Sequence, residues 1–401
     1  MEQKELQKAV NPIYTTAKGT VLTLASGGDK NAIALSPYLE LEEINKEDST
    51  MPETVRKVFA VGQEARFQIY NNAALKRNEP IVVDLPSGYS PRGFVMADAK
   101  RRYYGLDLPS VIDLMKPATD KTMTEEQKKY VQFAAVDATN YESLRKALGD
   151  AKGEICIVTE GLLGYLGEAE LISMCRAINR LLSEFGGCWI TADAGILRIF
   201  SVVHSVMVNS DTSALDEWLK GTASKMSDVD FYQNSLFTKG EEGAVAFLKE
   251  QGFSVKVETA GSYIYGLRTV DKDTEKRIID ACDCLSVWTM TVEKETAEET
   301  DKDLPFAVET DFSEGRLSVS IQGRMDTMTS PELLKKFQEL EGKPEEIVVD
   351  VSRMAYVTSA GLRVLLIMYK SLSDKSRFKM TGISDSVREI LETTGFDEYF
   401  L

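Results

Sequence analysis

Five acidic residues close short apolar runs. Asp84 follows Ile81-Val82-Val83, Asp107 follows Tyr103-Tyr104-Gly105-Leu106, and Asp137 follows the run from Gln132 to Val136. Glu160 follows the run from Glu154 to Val158 and Thr159, and Asp193 follows the run from Cys188 to Ala192. Carboxylates accept hydrogen bonds from hydroxyls and amines and attract positive charge. A row of them on one sheet edge suits a ligand that carries hydroxyls, an amine and a cationic centre. The stretch from Ile81 to Asp107 is the most informative: the strand-like run is followed by a turn with Pro86, Gly88 and Gly93, and then by Asp107. An acidic residue about twenty positions beyond a glycine turn is placed to accept both ribose hydroxyls of a nucleoside. Pro86 replaces the first glycine of the dinucleotide pattern, so the turn departs from a nicotinamide site. Arg66 lies late in a helical pattern and could reach the mouth of the sheet; taken alone it reads as a solvated helix charge. His204 is the only histidine. It is a general-base candidate and equally a helix residue whose ring is satisfied locally.

These residues need a scaffold. Short apolar strands alternate with helical patterns at Asn140 to Leu148 and Glu168 to Phe185. Such alternation predicts βαβ units, hence a doubly wound α/β parallel sheet with helices on both faces. Ligands of open α/β sheets sit beyond the carboxyl ends of the strands, where the acidic residues fall. Residues 1 to 78 read as mainly helical, with apolar spacing from Pro52 to Lys76. Gly195 to Val229, including Phe200, Val203, His204 and Trp218, predicts a helical cap over the sheet edge. Phe253 to Thr259 and Tyr263 to Thr269 predict a closing hairpin, and Thr274 to Val292 a helix. The charged run in Glu293 to Asp303 predicts a linker. The expected organisation is therefore 1–292, a linker 293–303, and a second, small α/β domain 304–401. In that second domain Arg316 to Ile321, Glu346 to Val351 and Phe378 to Thr381 read as strands. Ser330 to Glu341, Ala360 to Leu372 and Asp385 to Thr394 read as helices, the last ended by Gly395.

Composition narrows the class. The chain has 401 residues and a formal net charge of −16. That balance argues against nucleic-acid and anionic-membrane partners, which call for excess Lys and Arg. No apolar run could span a bilayer, and MEQKELQKAV lacks the apolar core of a signal peptide, so a cytoplasmic protein is expected. Cys156, Cys175, Cys188, Cys282 and Cys284 are odd in number and mostly set in apolar stretches, which suits reduced thiols. Cys282-Asp-Cys284 has no second ligand pair, so no metal is expected.

The order of Arg66, the Val-Val-Asp-Leu-Pro-Ser-Gly-Tyr-Ser-Pro-Arg turn, Asp107-Leu-Pro-Ser-Val, Asp137 and Thr159-Glu160-Gly-Leu-Leu-Gly-Tyr-Leu166 resembles the leucine carboxyl methyltransferase family. That family includes O-methyltransferases of polyketide pathways. The resemblance runs from about Thr15 to Val270. It implies a Rossmann-like methyltransferase sheet that binds S-adenosylmethionine. By position, Gly88 would border the methionine part, Asp107 would hold the ribose, and Asp137 with Ala138 would lie beside the adenine. Glu160 and Arg66 would take the amine and carboxylate ends. The family's glycine-alanine-glycine turn is Pro86-Ser87-Gly88 here, and its usual aspartate is Ser90.

Asp350-Val-Ser352 through Thr358-Ser359-Ala-Gly361-Leu362-Arg363 resembles the STAS domain of anti-sigma-factor antagonists, over about Leu304 to Leu401. The resemblance implies that Ser359 is phosphorylated by a partner serine kinase. The usual aspartate before it is Thr358. A serine at a helix start also serves simply as an N-cap.

Two functions are thus expected of different kinds. One is an S-adenosylmethionine-dependent O-methyltransferase acting on a small-molecule carboxylate or hydroxyl, with a STAS domain for regulation or for binding an anti-sigma factor or kinase. The other is a non-catalytic, ligand-sensing anti-sigma factor antagonist.

Overall fold

The computed structural model describes residues 16–41, 52–196, 198–208, 233–292, 306–326, 328–340 and 342–400. The expected linker, Trp218 and most of the expected cap lie outside these residues. Two compact units are formed, a larger one within Thr15–Leu166 and Ser173–Ala297, and a smaller one within Glu298–Leu401 together with Gly167–Ile172.

The larger unit is a seven-stranded sheet in the order β3-β2-β1-β4-β5-β7-β6. Its strands are β1 Ile81–Asp84, β2 Arg102–Asp107, β3 Val131–Ala135, β4 Ile155–Thr159, β5 Gly187–Thr191, β6 Ser254–Thr259 and β7 Ser286–Thr291. β1 to β5 are mutually parallel, while β7 runs antiparallel to both β5 and β6. Every residue of β1 and β4 is buried, as expected of strands covered on both faces. Val82, Cys156, Val158, Cys188 and Ile190 pack with the helix Glu53–Leu75 and the helix Arg198–Met207 in one core.

The sheet corrects two expectations. Tyr263 to Thr269 is not a strand. Its backbone amides are taken by side chains: Glu275 accepts from Gly266 and, at 3.0 Å, from Leu267, while Glu64 accepts from Arg268 at 2.9 Å and Thr269 at 3.1 Å. With its donors bound to carboxylates, the segment has no ladder to offer. The true partner of β6 is β7, drawn from the end of the expected helix, which stops at Ala281. Val287, Trp288, Thr289 and Met290 are all buried between two strands, and this continuous burial gives a run without the alternation that marks a strand.

The smaller unit is a four-stranded sheet, β11-β10-β9-β8, made of β8 Ala307–Ser313, β9 Arg316–Met325, β10 Glu346–Val357 and β11 Phe378–Thr381. β10 is parallel to both its neighbours, and β8 pairs antiparallel with β9. The β8–β9 turn places Glu314 at φ 50° and Gly315 at φ 78°, the left-handed pair that a two-residue hairpin needs. β8 escaped the sequence reading because its alternation is weak: Glu309 and Asp311 face away from the core, and of the more buried Val308, Thr310 and Phe312 only two are apolar. Gly395 ends the helix Asp385–Thr394 at φ 70°, as expected.

Candidate functional site

The strand order brings Asp137, Asp107, Asp84, Glu160 and Asp193 into a single row along the carboxyl edge. The register sets their heights. Asp84 pairs with Gly105 on one side and Val158 on the other, so Asp107 and Glu160 stand two residues further out. Residues two apart share a face, and each step rises about 3.3 Å, so the row is stepped, with Asp84 lowest.

Asp107 is 7% exposed. Its Oδ2 accepts from the Gly88 amide at 2.7 Å and its Oδ1 from the Leu108 amide at 2.7 Å. Gly88 adopts φ +52°, a left-handed conformation that turns its N–H toward the carboxylate. Burial pushes the Asp107 carboxyl up to about 7, against the lowering pull of the two amides. Pro86 lacks an amide, and the Ser87 amide is spent on Leu106 O at 3.0 Å. The turn therefore presents Asp107 through Gly88.

Asp84 and Glu160 flank the point where the chain order reverses, between β1 and β4, and Arg92 bridges them. Its Nη1 pairs with Asp84 Oδ1, its Nη2 with Glu160 Oε2, and its Nε donates to Asn71 Oδ1 at 2.9 Å. Arg92 is 1% exposed. Asp84 also accepts from the Tyr103 hydroxyl at 2.7 Å. The other Glu160 oxygen lies 2.7 Å from Arg66 Nε. The result is an alternating series, Asp84, Arg92, Glu160, Arg66. Burial works against both guanidinium charges, but the facing carboxylates prevail and hold both arginines above their ordinary range. Arg66 is thus no solvated helix charge: it is largely buried and belongs to the mouth. Gly161 gives it room, since a Cβ there would fall 2.9 Å from Arg66 Nη2.

Asp193 has a structural task. It accepts from the Tyr70 hydroxyl at 2.7 Å and from the amides of Gly161, Leu162 and Leu163 at 2.8, 3.0 and 3.0 Å. It fixes the turn after Glu160. Asp137 closes its own turn, its Oδ1 accepting from the Thr139 amide and hydroxyl, both at 2.8 Å. Ala138 is half-buried in that turn. His204 lies on the helix Arg198–Met207, buried, its Nδ1 without a hydrogen-bond partner. One turn earlier on that helix, Phe200 stacks on Phe59 with ring centroids 4.7 Å apart. His204 joins none of the ion pairs described above.

Arg92, Asn71 and Tyr70 escaped the sequence reading. Arg92 could have been found as the cation of the turn that follows Asp84. Asn71 and Tyr70 carry only the helix period as a signal, since both lie about one turn beyond Arg66.

In the smaller unit, Ser359 is the first residue of the helix Ser359–Ser371. The preceding Thr358 donates its amide to Met325 O at 3.0 Å and accepts from Leu362 at 2.9 Å, so the helix start is tied to the end of β9. A Cβ on Gly361 would lie 2.7 Å from Val357 Cγ2 and 2.8 Å from Met325 O, so the close approach requires glycine.

The larger unit has the open, Rossmann-like sheet expected from the sequence, parallel over β1 to β5 and closed by an antiparallel pair. Residues 308–401 match the family described as Mlab, STAS domain. BtrV of Bordetella bronchiseptica, designated an anti-sigma factor antagonist, is 30% identical over 92 residues, which span 22% of this chain and 79% of that protein. The C-terminal part of the chain belongs to the STAS domain family. An anti-sigma factor antagonist structure from Mycobacterium paratuberculosis matches at 25% identity, covering 24% of this chain and 83% of its own, with a TM-score of 0.22. The structure of magnesium protoporphyrin IX methyltransferase from Synechocystis PCC 6803 with bound SAH covers 66% of this chain and 100% of its own at 12% identity, with a TM-score of 0.35.

Proposed function

We propose that the chain is an S-adenosylmethionine-dependent O-methyltransferase of the leucine carboxyl methyltransferase type, acting on a small-molecule carboxylate or hydroxyl and carrying a STAS domain for regulation or partner binding. The observation that carries this reading is Asp107: a buried carboxylate at the end of β2, presented by the Gly88 turn beside the reversal of strand order. Ligands of open α/β sheets gather at that position. In this reading Asp107 accepts the ribose hydroxyls and Gly88 borders the methionine part. Asp137 and Ala138 flank the adenine, while Glu160 and Arg66 meet the amino-acid end. The reaction is an in-line displacement, in which holding the acceptor oxygen opposite the sulfonium methyl supplies much of the rate. A carboxylate acceptor needs no base, whereas a hydroxyl acceptor would call on His204. Residues 1–292 form the transferase, 293–303 the linker and 304–401 the STAS domain.

The test is transfer of labelled methyl from S-adenosylmethionine to a panel of small carboxylates and phenols. Product that forms with the wild type and disappears in Asp107→Ala supports the reading. No product with any member leaves the second reading, a ligand-sensing regulator that acts as an anti-sigma factor antagonist through phosphorylation of Ser359. The mutual pairing of Glu160 with two arginines favours that alternative, since the mouth is charge-satisfied without a ligand.

A further inference from the structure

The amino-acid end of the proposed cofactor carries a carboxylate, and Arg66, the cation expected to meet it, already faces Glu160, its Nε 2.7 Å from Oε1. A neutral donor on the same wall could share that carboxylate with Arg66. The helix Glu53–Leu75 supplies one. Positions three, four and seven apart share a helical face. On that criterion Gln63 lies on the face of Arg66, Phe67 and Tyr70, whose polar members reach Glu160 and Asp193. Gln63 is one turn nearer the helix start. With 1.5 Å of rise per residue it sits about 4.5 Å further along the axis than Arg66. Its side chain is 4% exposed, and its amide Nε2 is fully buried with no hydrogen-bond partner. A buried donor left unpaired carries a desolvation cost, and each such group calls for an acceptor. An amide nitrogen only donates, so what completes Gln63 is an oxygen. A carboxylate beside the Arg66 guanidinium is the oxygen whose charge that neighbourhood favours.

We infer that Gln63 donates its side-chain amide to the carboxylate of the cofactor's methionine, sharing it with the Arg66 fork. This rests on the cofactor reading above. Two probes separate the contact from the rest of the site. S-adenosylhomocysteine carries the amino-acid carboxylate, and 5′-methylthioadenosine lacks it while keeping the nucleoside.

The experiment is calorimetric titration of both compounds into the full chain, its Gln63→Leu variant and its Gln63→Glu variant. Gln63→Leu is expected to weaken S-adenosylhomocysteine about ten-fold or more, the scale of one hydrogen bond to a charged group. Gln63→Glu, which sets a carboxylate against a carboxylate, is expected to weaken it further. Affinity for 5′-methylthioadenosine should stay within about two-fold, which also shows that both variants fold. Unchanged affinity for S-adenosylhomocysteine overturns the inference, and so does an equal loss for both compounds. If the wild type binds neither compound, the cofactor reading fails first and takes the inference with it.

Discussion

Asp107 couples the site to pH. An aspartate in an unfolded chain titrates near 4, whereas burial holds this one at about 7. Between those values the folded protein keeps a proton that the unfolded chain has lost. This group's contribution to stability is therefore fully present below about pH 4 and is lost as pH rises to about 7. A ligand that donates hydroxyls to the carboxylate favours the ionised form, so affinity should move the other way. We predict that S-adenosylmethionine binds more tightly at pH 8 than at pH 6, and that Asp107→Asn binds weakly with a flat profile between them. A wild-type profile equally flat would remove Asp107 from the contact. Arg92 makes a separate prediction. Replacing it with Leu leaves Asp84 and one Glu160 oxygen without their cation in a buried setting, which should cost about 3–5 kcal/mol. Denaturant titration would read this as a lower midpoint at unchanged slope. The acidic row was legible residue by residue, because a carboxylate after an apolar run stands out in any frame. The partners were not. Arg66 looks like any helix charge until β4 brings Glu160 to it, and Asp193 looks like a ligand group until the turn at Gly161 takes its oxygens.

At the scale of elements, β2 shows how closely the row is set. Gly105 lies on the face of Asp107, two residues earlier, and a Cβ there would run into the Phe133 ring. The Phe133 side chain, on the neighbouring strand β3 and paired in register with Gly105, takes the space a side chain would fill. Gly105→Ala should therefore destabilise the larger unit by about 1–3 kcal/mol, the usual scale of overpacking. Phe133→Leu in the same chain should recover part of the loss. A thermal melt in which the double variant is no more stable than Gly105→Ala alone would show that the ring is not what the new methyl meets. The parallel strands β1 to β5 were readable because each is a short apolar run between helices. The closing pair was not. β7 is buried on both faces and follows a helix without a breaker, while the segment after β6 has the composition of a strand but gives its amides to Glu275 and Glu64. Long-range partners of this kind leave no local mark.

At the scale of the whole molecule, two units of different kinds share one chain. No helix of the described residues is long and apolar enough to cross a membrane. In the smaller unit the helix Ser359–Ser371 starts beside β9, held there by the Thr358 amide. A phosphate at a helix start would add about two negative charges beside first-turn amides that have no partner within the helix. We predict that a cognate serine kinase labels the wild type and not Ser359→Ala, as read by mass spectrometry of the intact chain. Undiminished incorporation would move the acceptor to another residue. The STAS unit was legible from its local motif, in which Gly361 is demanded by close packing against Val357 and Met325 at one helix start. What the larger unit does with its acidic row depends on a ligand, and one titration addresses it. Purified chain would be titrated with S-adenosylmethionine and S-adenosylhomocysteine by calorimetry, beside Asp107→Ala. The wild type is expected to bind both saturably and one-to-one, with binding lost in the variant while its melting curve stays intact. Absence of heat for both, or binding that survives Asp107→Ala undiminished, would contradict it.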